Sequence, residues 1–345
     1  MWRTALKNLN RESIATLVAR EREAGTTWGQ KLQAWRHGFS SASYRHYRLS
    51  ENDYRDYLPD TALHRHGRAV GAFQRVLRDK VLFGVVAGAF VRVPRLVAIV
   101  AAGSWVGVAH QATRQLDSWL DAADDGPAVI LKPACGGRGR GVHRLEVAGG
   151  RTLLDARELP RSDVAAFVAG LDDYVAVEAV TQAPYAAEVF PGAVNTLRIV
   201  TMIDPADGRS FILGAVHRFG VQASAPTDNV SRGGVVAKLD LVTGELGPAW
   251  GDSKLGSTGP VDHHPETGTR ITGLHVPDWD GVQREVLALA GALGFLLYVG
   301  WDVAITPDGP VLLEGNHGPD RGMQRHFPYL KDPRARRFFE HHGTI

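Results

Sequence analysis

The sequence predicts an α+β fold built on antiparallel sheets, preceded by a helical N-terminal region. Three observations predict it. From Val81 onward the chain breaks into short β-branched runs punctuated by glycine. Those runs outnumber the segments with helical periodicity. Several are joined by tight reversals, such as Asp-Pro-Ala-Asp-Gly over 204–208 and Asp-Leu-Val-Thr-Gly over 240–244. Such turns join antiparallel strands, whereas a parallel pair needs a long crossover.

Taken in order, residues 1–78 read as helical and charged. Apolar residues recur at helical spacing over 13–23 and 61–80, with arginine and glutamate outside the stripe. The aromatic, basic stretch 43–60 reads as a solvated helical face whose arginines snorkel; stacking on nucleic-acid bases is the alternative. The most apolar region, 81–108, is interrupted by Arg92, Pro94 and Arg95. No uncharged run of about 18–20 residues remains to span a membrane, so buried strands are expected there. Further strands are expected over 95–103, 128–134, 174–180, 195–203, 210–220, 234–241 and 309–316, and helices over 162–171 and 278–295. In the last helix Val282, Val286, Leu289 and Leu293 form an apolar stripe at steps of four, three and four. Residues 250–270 form a long polar loop rich in glycine and proline.

Composition sets the outer limits. The 345 residues are 44% hydrophobic and 22% charged, which suits a globular chain with a buried core. A net charge of +2 is too small to imply nucleic-acid binding. The single cysteine, Cys135, excludes an internal disulfide and a cysteine-rich zinc site. It is expected to be a small packed thiol. The first residues lack the apolar core and cleavage site of a secretory signal, so a cytoplasmic location is expected.

Three constellations carry chemistry. The first is Val-Ile-Leu-Lys-Pro-Ala-Cys-Gly-Gly-Arg-Gly-Arg-Gly over 129–141. Glycines let backbone N–H groups approach a polyanion closely. Arg138 and Arg140 add charge, and Lys132 offers a point charge to a phosphate. A plain glycine-rich hairpin with an exposed lysine is the other reading. The glycine spacing fits neither a P-loop nor a dinucleotide fingerprint. The second constellation is the hairpin Gly-Trp-Asp-Val-Ala-Ile-Thr-Pro-Asp-Gly-Pro-Val-Leu-Leu-Glu-Gly-Asn over 300–316. Glu314 and Asn316 are two apart and share a face, and the hairpin brings Asp302 alongside. Two carboxylates and an amide oxygen suit Mg²⁺. Acids inside apolar runs are costly unless paired or metal-bound, which favours that reading over acids at a wet sheet end. The third is Asn195 and Arg198 in Asn-Thr-Leu-Arg-Ile-Val-Thr, with Arg218 ending the next strand. Arginines on adjacent strands grip a phosphoryl group or a carboxylate, or else form surface salt bridges.

In this order the motifs resemble the ATP-grasp superfamily, most closely its sugar-transfer-associated branch. The resemblance rests on Arg-Asp-Lys over 78–80, the lysine-glycine loop, Val-Glu-Ala-Val over 177–180, Asn-Thr-Leu-Arg over 195–198, Asp-Asn-Val-Ser-Arg-Gly-Gly over 228–234, His-Pro-Glu-Thr-Gly over 264–268 and the acidic hairpin. It covers roughly residues 76–325. It implies two subdomains whose antiparallel sheets clasp ATP within residues 79–345: a nucleotide-binding lid over about 127–185 and a metal and acceptor part over about 186–330. It further implies that Lys80 and Lys132 contact ATP phosphates and that Gly136, Gly137, Arg138, Gly139 and Gly141 close over them. Glu178, Ala179 and Val180 would lie at the adenine edge through backbone groups, with Gln182 near the ribose. Asp302, Glu314 and Asn316 would hold Mg²⁺, and Arg198 and Arg218 would face the transferring phosphoryl group. Asn195, Asp228, Asn229, Gly233 and Gly234 would line the substrate side, and the loop carrying His263, His264 and Pro265 would shape the acceptor pocket. Neither Gln182 nor Tyr185 supplies the acid usual at the ribose. The implied activity is an ATP-dependent carboxylate–amine ligase acting on a small acid and an amine such as an amino acid or peptide. A phosphotransferase acting on a hydroxyl and a non-catalytic nucleotide-binding module are the alternatives.

Overall fold

The computed structural model describes residues 17, 27–62, 73–108, 115–123, 126–136, 139–251, 259–317 and 321–345. Gly137 and Arg138 lie outside the described residues, as does most of the expected helix over 13–23.

Two antiparallel sheets dominate, as the tight turns predict. The first contains β1 (Leu96–Ala101), β2 (Ser104–Gly107), β3 (Val129–Pro133), β4 (His143–Ala148), β5 (Arg151–Leu154), β6 (Arg157–Glu158) and β7 (Tyr174–Glu178), in the order β2-β1-β7-β3-β4-β5-β6. Helices over Leu116–Ala122 and Arg161–Ala169 cover one face, burying Leu120, Val164 and Val168 against Val97, Leu131 and Leu145. The alternation in β3 leaves Ile130 and Lys132 on the opposite face.

The second sheet contains β8 (Thr196–Ile203), β9 (Ser210–Phe219), β10 (Val235–Leu239), β11 (Leu246–Trp250), β12 (Tyr298–Thr306) and β13 (Gly309–His317), in the order β11-β10-β9-β8-β12-β13. Both faces are covered. On one, the helix Trp279–Ala292 seats its Val282, Val286 and Leu289 on Leu197, Ile199 and Val299. The expected stripe therefore faces the core, and Leu293 joins it. On the other face, Val200, Met202 and Val216 pack under Tyr329, Phe338 and Phe339 of the C-terminal segment.

Two sequence expectations are corrected. Residues 80–87 are not a strand but a helix, Lys80–Ala87, capped by the Asp79 carboxylate, which accepts from the N–H groups of Val81 and Leu82 at 2.9 and 3.1 Å. The run is apolar on nearly every side, so it carries no alternation to separate helix from strand; Phe83 and Ala87 face inward while Val85 stays exposed. Residues 43–60 are not a solvated helical face. Phe39, Tyr44, Tyr47 and Tyr57 form a small aromatic core. Buried Gln324 holds that core to the C-terminal segment: its Oε1 accepts from Leu58 N at 2.6 Å and its Nε2 donates to Leu58 O at 3.1 Å.

Candidate functional site

The site grows from the register of four strands. Asp302 pairs with Arg198 across β12 and β8, and with Glu314 across β12 and β13; Gly300 pairs with Asn316. Directly paired residues share a face. Asp302, Glu314, Asn316 and Arg198 therefore project together, on the same side as Arg218 of β9, whose guanidinium reaches Thr196 Oγ1 at 2.5 Å by Nη2.

A charge network holds these groups. Asp302 is only 3% exposed and takes both Arg198, whose Nη2 lies 3.0 Å from Oδ2, and Arg218, whose Nη2 lies 2.9 Å from the same oxygen. Burial by itself pushes the Asp302 pKa up, but the two guanidiniums more than offset it and hold the carboxyl well below the usual range. Arg218 is gripped from the other side by Asp228, 3.2 Å from its Nε. Asp228 also accepts from Thr196 N at 2.9 Å. Burial raises the Asp228 pKa and the Arg218 charge opposes that rise.

Glu314 has no such grip. Burial and then the neighbouring Asp302 push its pKa up, with Lys132, Arg198 and Lys80 partly opposing. Asn316 Nδ2 lies 3.4 Å from Asp302 Oδ2 and 3.3 Å from Glu314 Oε1. Two carboxylates and an amide thus share one small space, and Glu314 is the carboxylate there that makes no guanidinium salt bridge among the described residues. That donor set fits a hard divalent cation. Among the described residues no group of three or more His, Cys, Asp or Glu side chains is placed to hold a metal, so an amide and non-protein oxygens would complete the coordination.

Lys132, at the end of β3 in the first sheet, lies within electrostatic reach of Glu314. Burial pulls its pKa down to about 8, the Glu314 charge holding it up and Lys80 pushing it further down. Positive groups from the first sheet and oxygen donors from the second therefore converge. Lys80 begins its helix beside the end of β3: its N–H donates to Ala134 O at 2.9 Å and its Nζ to Gly136 O at 3.1 Å. Gly139 has φ +64°, and a Cβ there would fall 2.8 Å from Thr227 Oγ1. Gly141, at φ +66°, passes the Tyr174 hydroxyl as closely. Arg140 is exposed on this loop, and so is Cys135, which was expected to be packed.

Other expected site residues have structural partners instead. Gln182 and Asn195 are locked together. Gln182 Oε1 accepts from Asn195 N at 2.9 Å, and its Nε2 donates to Phe190 O and Ala193 O. Asn195 is 1% exposed, and its Oδ1 accepts from Gly220 N. These amides organise the turn into β8. Glu178 pairs with Arg95, and the N–H groups of Glu178 and Ala179 donate to Arg95 O and Ala128 O. Of the three residues whose backbone groups were expected at the adenine edge, two thus have their N–H engaged by neighbouring backbone carbonyls; Val180 follows the end of β7. Asn229 caps the short helix Val230–Arg232, and Gly233 and Gly234 close the turn that returns the chain to β10 beside Asp228.

The loop histidines divide likewise. His264 is buried, sharing its Nε2 with Gly220 O at 2.7 Å and stacking on Phe190. Thr267 and Thr269 of the same turn donate to Val189 O and Glu188 O, so the turn that follows Pro265 braces the helix Pro184–Val189. His263 lies on the outside, bridged to Arg270. Tyr185 gives its hydroxyl to His217 Nε2 at 2.8 Å, and burial pulls the His217 pKa down to about 3. This pair lies under the sheet, on the face opposite Arg218. Sequence reasoning missed Thr196 and Thr227, because hydroxyls inside strand and loop runs carry no signal until the strands are paired.

The family model described as sugar-transfer associated ATP-grasp matches residues 70–325. No curated protein matches the chain. Among solved structures, the biotin carboxylase domain of the Hydrogenobacter thermophilus 2-oxoglutarate carboxylase, in complex with MgADP, ADP and bicarbonate, aligns with 15% identity and a TM-score of 0.38, over 74% of this chain and 46% of that one. The ATP-grasp ligase PsnB, complexed with a precursor variant, Mg and ADP, aligns with 14% identity and a TM-score of 0.39, over 86% and 72%. The VanG D-Ala:D-Ser ligase from Enterococcus faecalis aligns with 12% identity and a TM-score of 0.42, over 77% and 62%. The chain thus spans less than half the length of the first of these and under two thirds of the third.

Proposed function

The chain belongs to the sugar-transfer associated ATP-grasp family, and on that premise we propose that it is an ATP-dependent carboxylate–amine ligase. The observation that carries this reading is the convergence of Lys132 and Lys80 with Asp302, Glu314, Asn316, Arg198 and Arg218. ATP would lie between the sheets, its base against the apolar face of β3 beside Ile130 and its polyphosphate beside Lys132. Lys80 and the glycine loop would close over the phosphates. Magnesium held by Asp302, Glu314 and Asn316 would neutralise phosphate oxygens and relieve the crowded charge at Glu314.

In this reading a substrate carboxylate attacks the γ-phosphorus, giving an acyl phosphate and ADP. An amine then displaces phosphate from the acyl carbon, gives up its proton and leaves an amide. In-line transfer of this kind needs position and charge neutralisation more than a protein nucleophile. Arg198 and Arg218 are fixed by Asp302 and Asp228, so they would meet the developing charge without reorganising.

One feature of the site favours a carboxylate over a hydroxyl acceptor. A hydroxyl must lose a proton during attack and is helped by a base, whereas a carboxylate is already ionised. Asp302 and Asp228 are each committed to guanidiniums, Glu314 would be taken up by the magnesium, and His217 lies behind the sheet bonded to Tyr185.

Product analysis tests the proposal. The chain is incubated with ATP, Mg²⁺ and pooled amino acids and small carboxylic acids. ADP, free phosphate and a condensation product lighter by one water are expected. ADP with a phosphorylated acceptor would make it a phosphotransferase, and nucleotide binding without ADP a non-catalytic module; either result overturns the proposal.

A further inference from the structure

The face that carries Asp302, Arg198 and Arg218 extends beyond them. Arg198 pairs with Val216 and Val216 with Lys238, so one row crosses the sheet from Asp302 to Lys238. The next row runs from Arg218 through Val236 to Trp250. With strands about 4.8 Å apart, Lys238 stands roughly 10 Å from Arg198, and Trp250 roughly 10 Å from Arg218.

The segment after β13 folds back over this end of the sheet. The Phe327 ring sits directly on Gly214, where a Cβ would come within 2.5 Å of the ring. The Lys238 ammonium lies over that ring, 4.9 Å from its centroid. Beside it the Arg325 guanidinium lies over Trp250, 3.5 Å from the ring centroid. Two aromatic rings thus carry two cations on the reactive face. Among the described residues neither cation makes a salt bridge, and the one carboxylate near enough for its charge to feel Lys238 is the exposed Asp240. Asp240, the acid next along β10, turns its Oδ1 to the N–H groups of Val242 and Thr243. The same positive field reaches the neighbouring groups. Burial, and then Arg325, His46 and Lys238, pull the His326 pKa down to about 3, and Arg48 lies close enough to lower that of Arg325. Positive groups gathered on rings, with a single exposed carboxylate nearby, make a ready site for an anion.

We infer that Lys238 and Arg325, carried on Phe327 and Trp250, bind an anionic group of the acceptor substrate. The molecule that reacts beside Arg198 and Arg218 carries a carboxylate or phosphate roughly 10 Å, two strand spacings, from its reacting atom. This inference rests on the ligase reading for the word acceptor, but the anion site can be measured without turnover.

The test titrates the full chain with inorganic phosphate and, separately, with glutarate, reading tryptophan fluorescence. A saturable change is expected with at least one probe, and it disappears in Trp250→Phe. Lys238→Ala weakens the anion about tenfold, the loss of one charged hydrogen bond, and Arg325→Gln does the same. Lys238→Arg retains binding, and ATP affinity stays within about twofold in all three. Lys238 is exposed, so its variants are expected to fold; an unchanged unfolding midpoint confirms it. A response to phosphate alone identifies a phosphorylated acceptor, and one to glutarate alone a dicarboxylate. No saturable Trp250 signal, equal affinity in Lys238→Ala, or a signal abolished by Lys132→Met overturns the inference. A chain that forms the amide but shows no anion at Lys238 sinks this inference only. One that binds the anion but never forms ADP sinks the ligase reading only.

Discussion

Lys132 makes ATP binding sensitive to alkaline pH. Its ammonium is pulled down to about 8 by burial beside Lys80. A bound triphosphate would restore it toward the ordinary lysine value of about 10.4. Binding then takes up a proton, and affinity weakens as pH rises through about 8. From about pH 7 to about pH 9.5, the ratio of free to bound protonation predicts a Kd some 25-fold weaker, the two pKa values setting the span. Stability has a related sign. A depressed lysine contributes stability that is full above the unfolded value and lost as pH falls through about 8, so burial of the ammonium costs the empty chain most at neutral pH. The assay is a titration with a fluorescent ATP analogue across that range. Lys132→Arg keeps the charge at every pH and should flatten the curve to within about threefold, reporting whatever else titrates. A wild-type curve as flat as that of Lys132→Arg would refute the assignment of Lys132 to the phosphates. So would an equally steep decline in both.

Three further outcomes follow from the contacts. Asp228→Asn keeps the shape but sets an amide against Arg218 and Thr196; because Arg218 retains Asp302, the stability loss should be about 2–3 kcal/mol by denaturant unfolding, with the rate of ADP formation falling at least tenfold. Gly139→Ala forces a side chain into left-handed backbone against Thr227, so the KM for ATP should rise several-fold while the unfolding midpoint moves little, since the strain of about 1–2 kcal/mol falls on a loop. Gln324→Ala leaves Leu58 N–H and C=O without partners among the described residues and should cost about 2–4 kcal/mol, read as a lowered denaturant midpoint.

Particular elements show how far the sequence was legible. The acidic hairpin was legible because two features coincide: a Pro-Asp-Gly turn fixes its reversal, and the spacing of Glu314 and Asn316 places them on one face. The helix at Lys80–Ala87 was not, because a run apolar on nearly every side has no period, and only the Asp79 cap betrays it. Gln182 and Asn195 looked like ligands because polar residues beside a strand look alike whether they meet substrate or a backbone carbonyl. The aromatic stretch 43–60 looked exposed because its partners, Gln324 and the segment around it, lie more than 260 residues away in the chain.

By itself the amino-acid order determined the antiparallel strands, their turns and the shared face of Glu314 and Asn316, since all of these follow from local periodicity and turn chemistry. Only the tertiary structure decided which cations meet which anions. That depends on the register of β8, β9, β10 and β12 and on a C-terminal segment laid across them. A shift of one residue in any of those strands would turn Arg198, Arg218 or Lys238 to the opposite face, and no local pattern reports that choice.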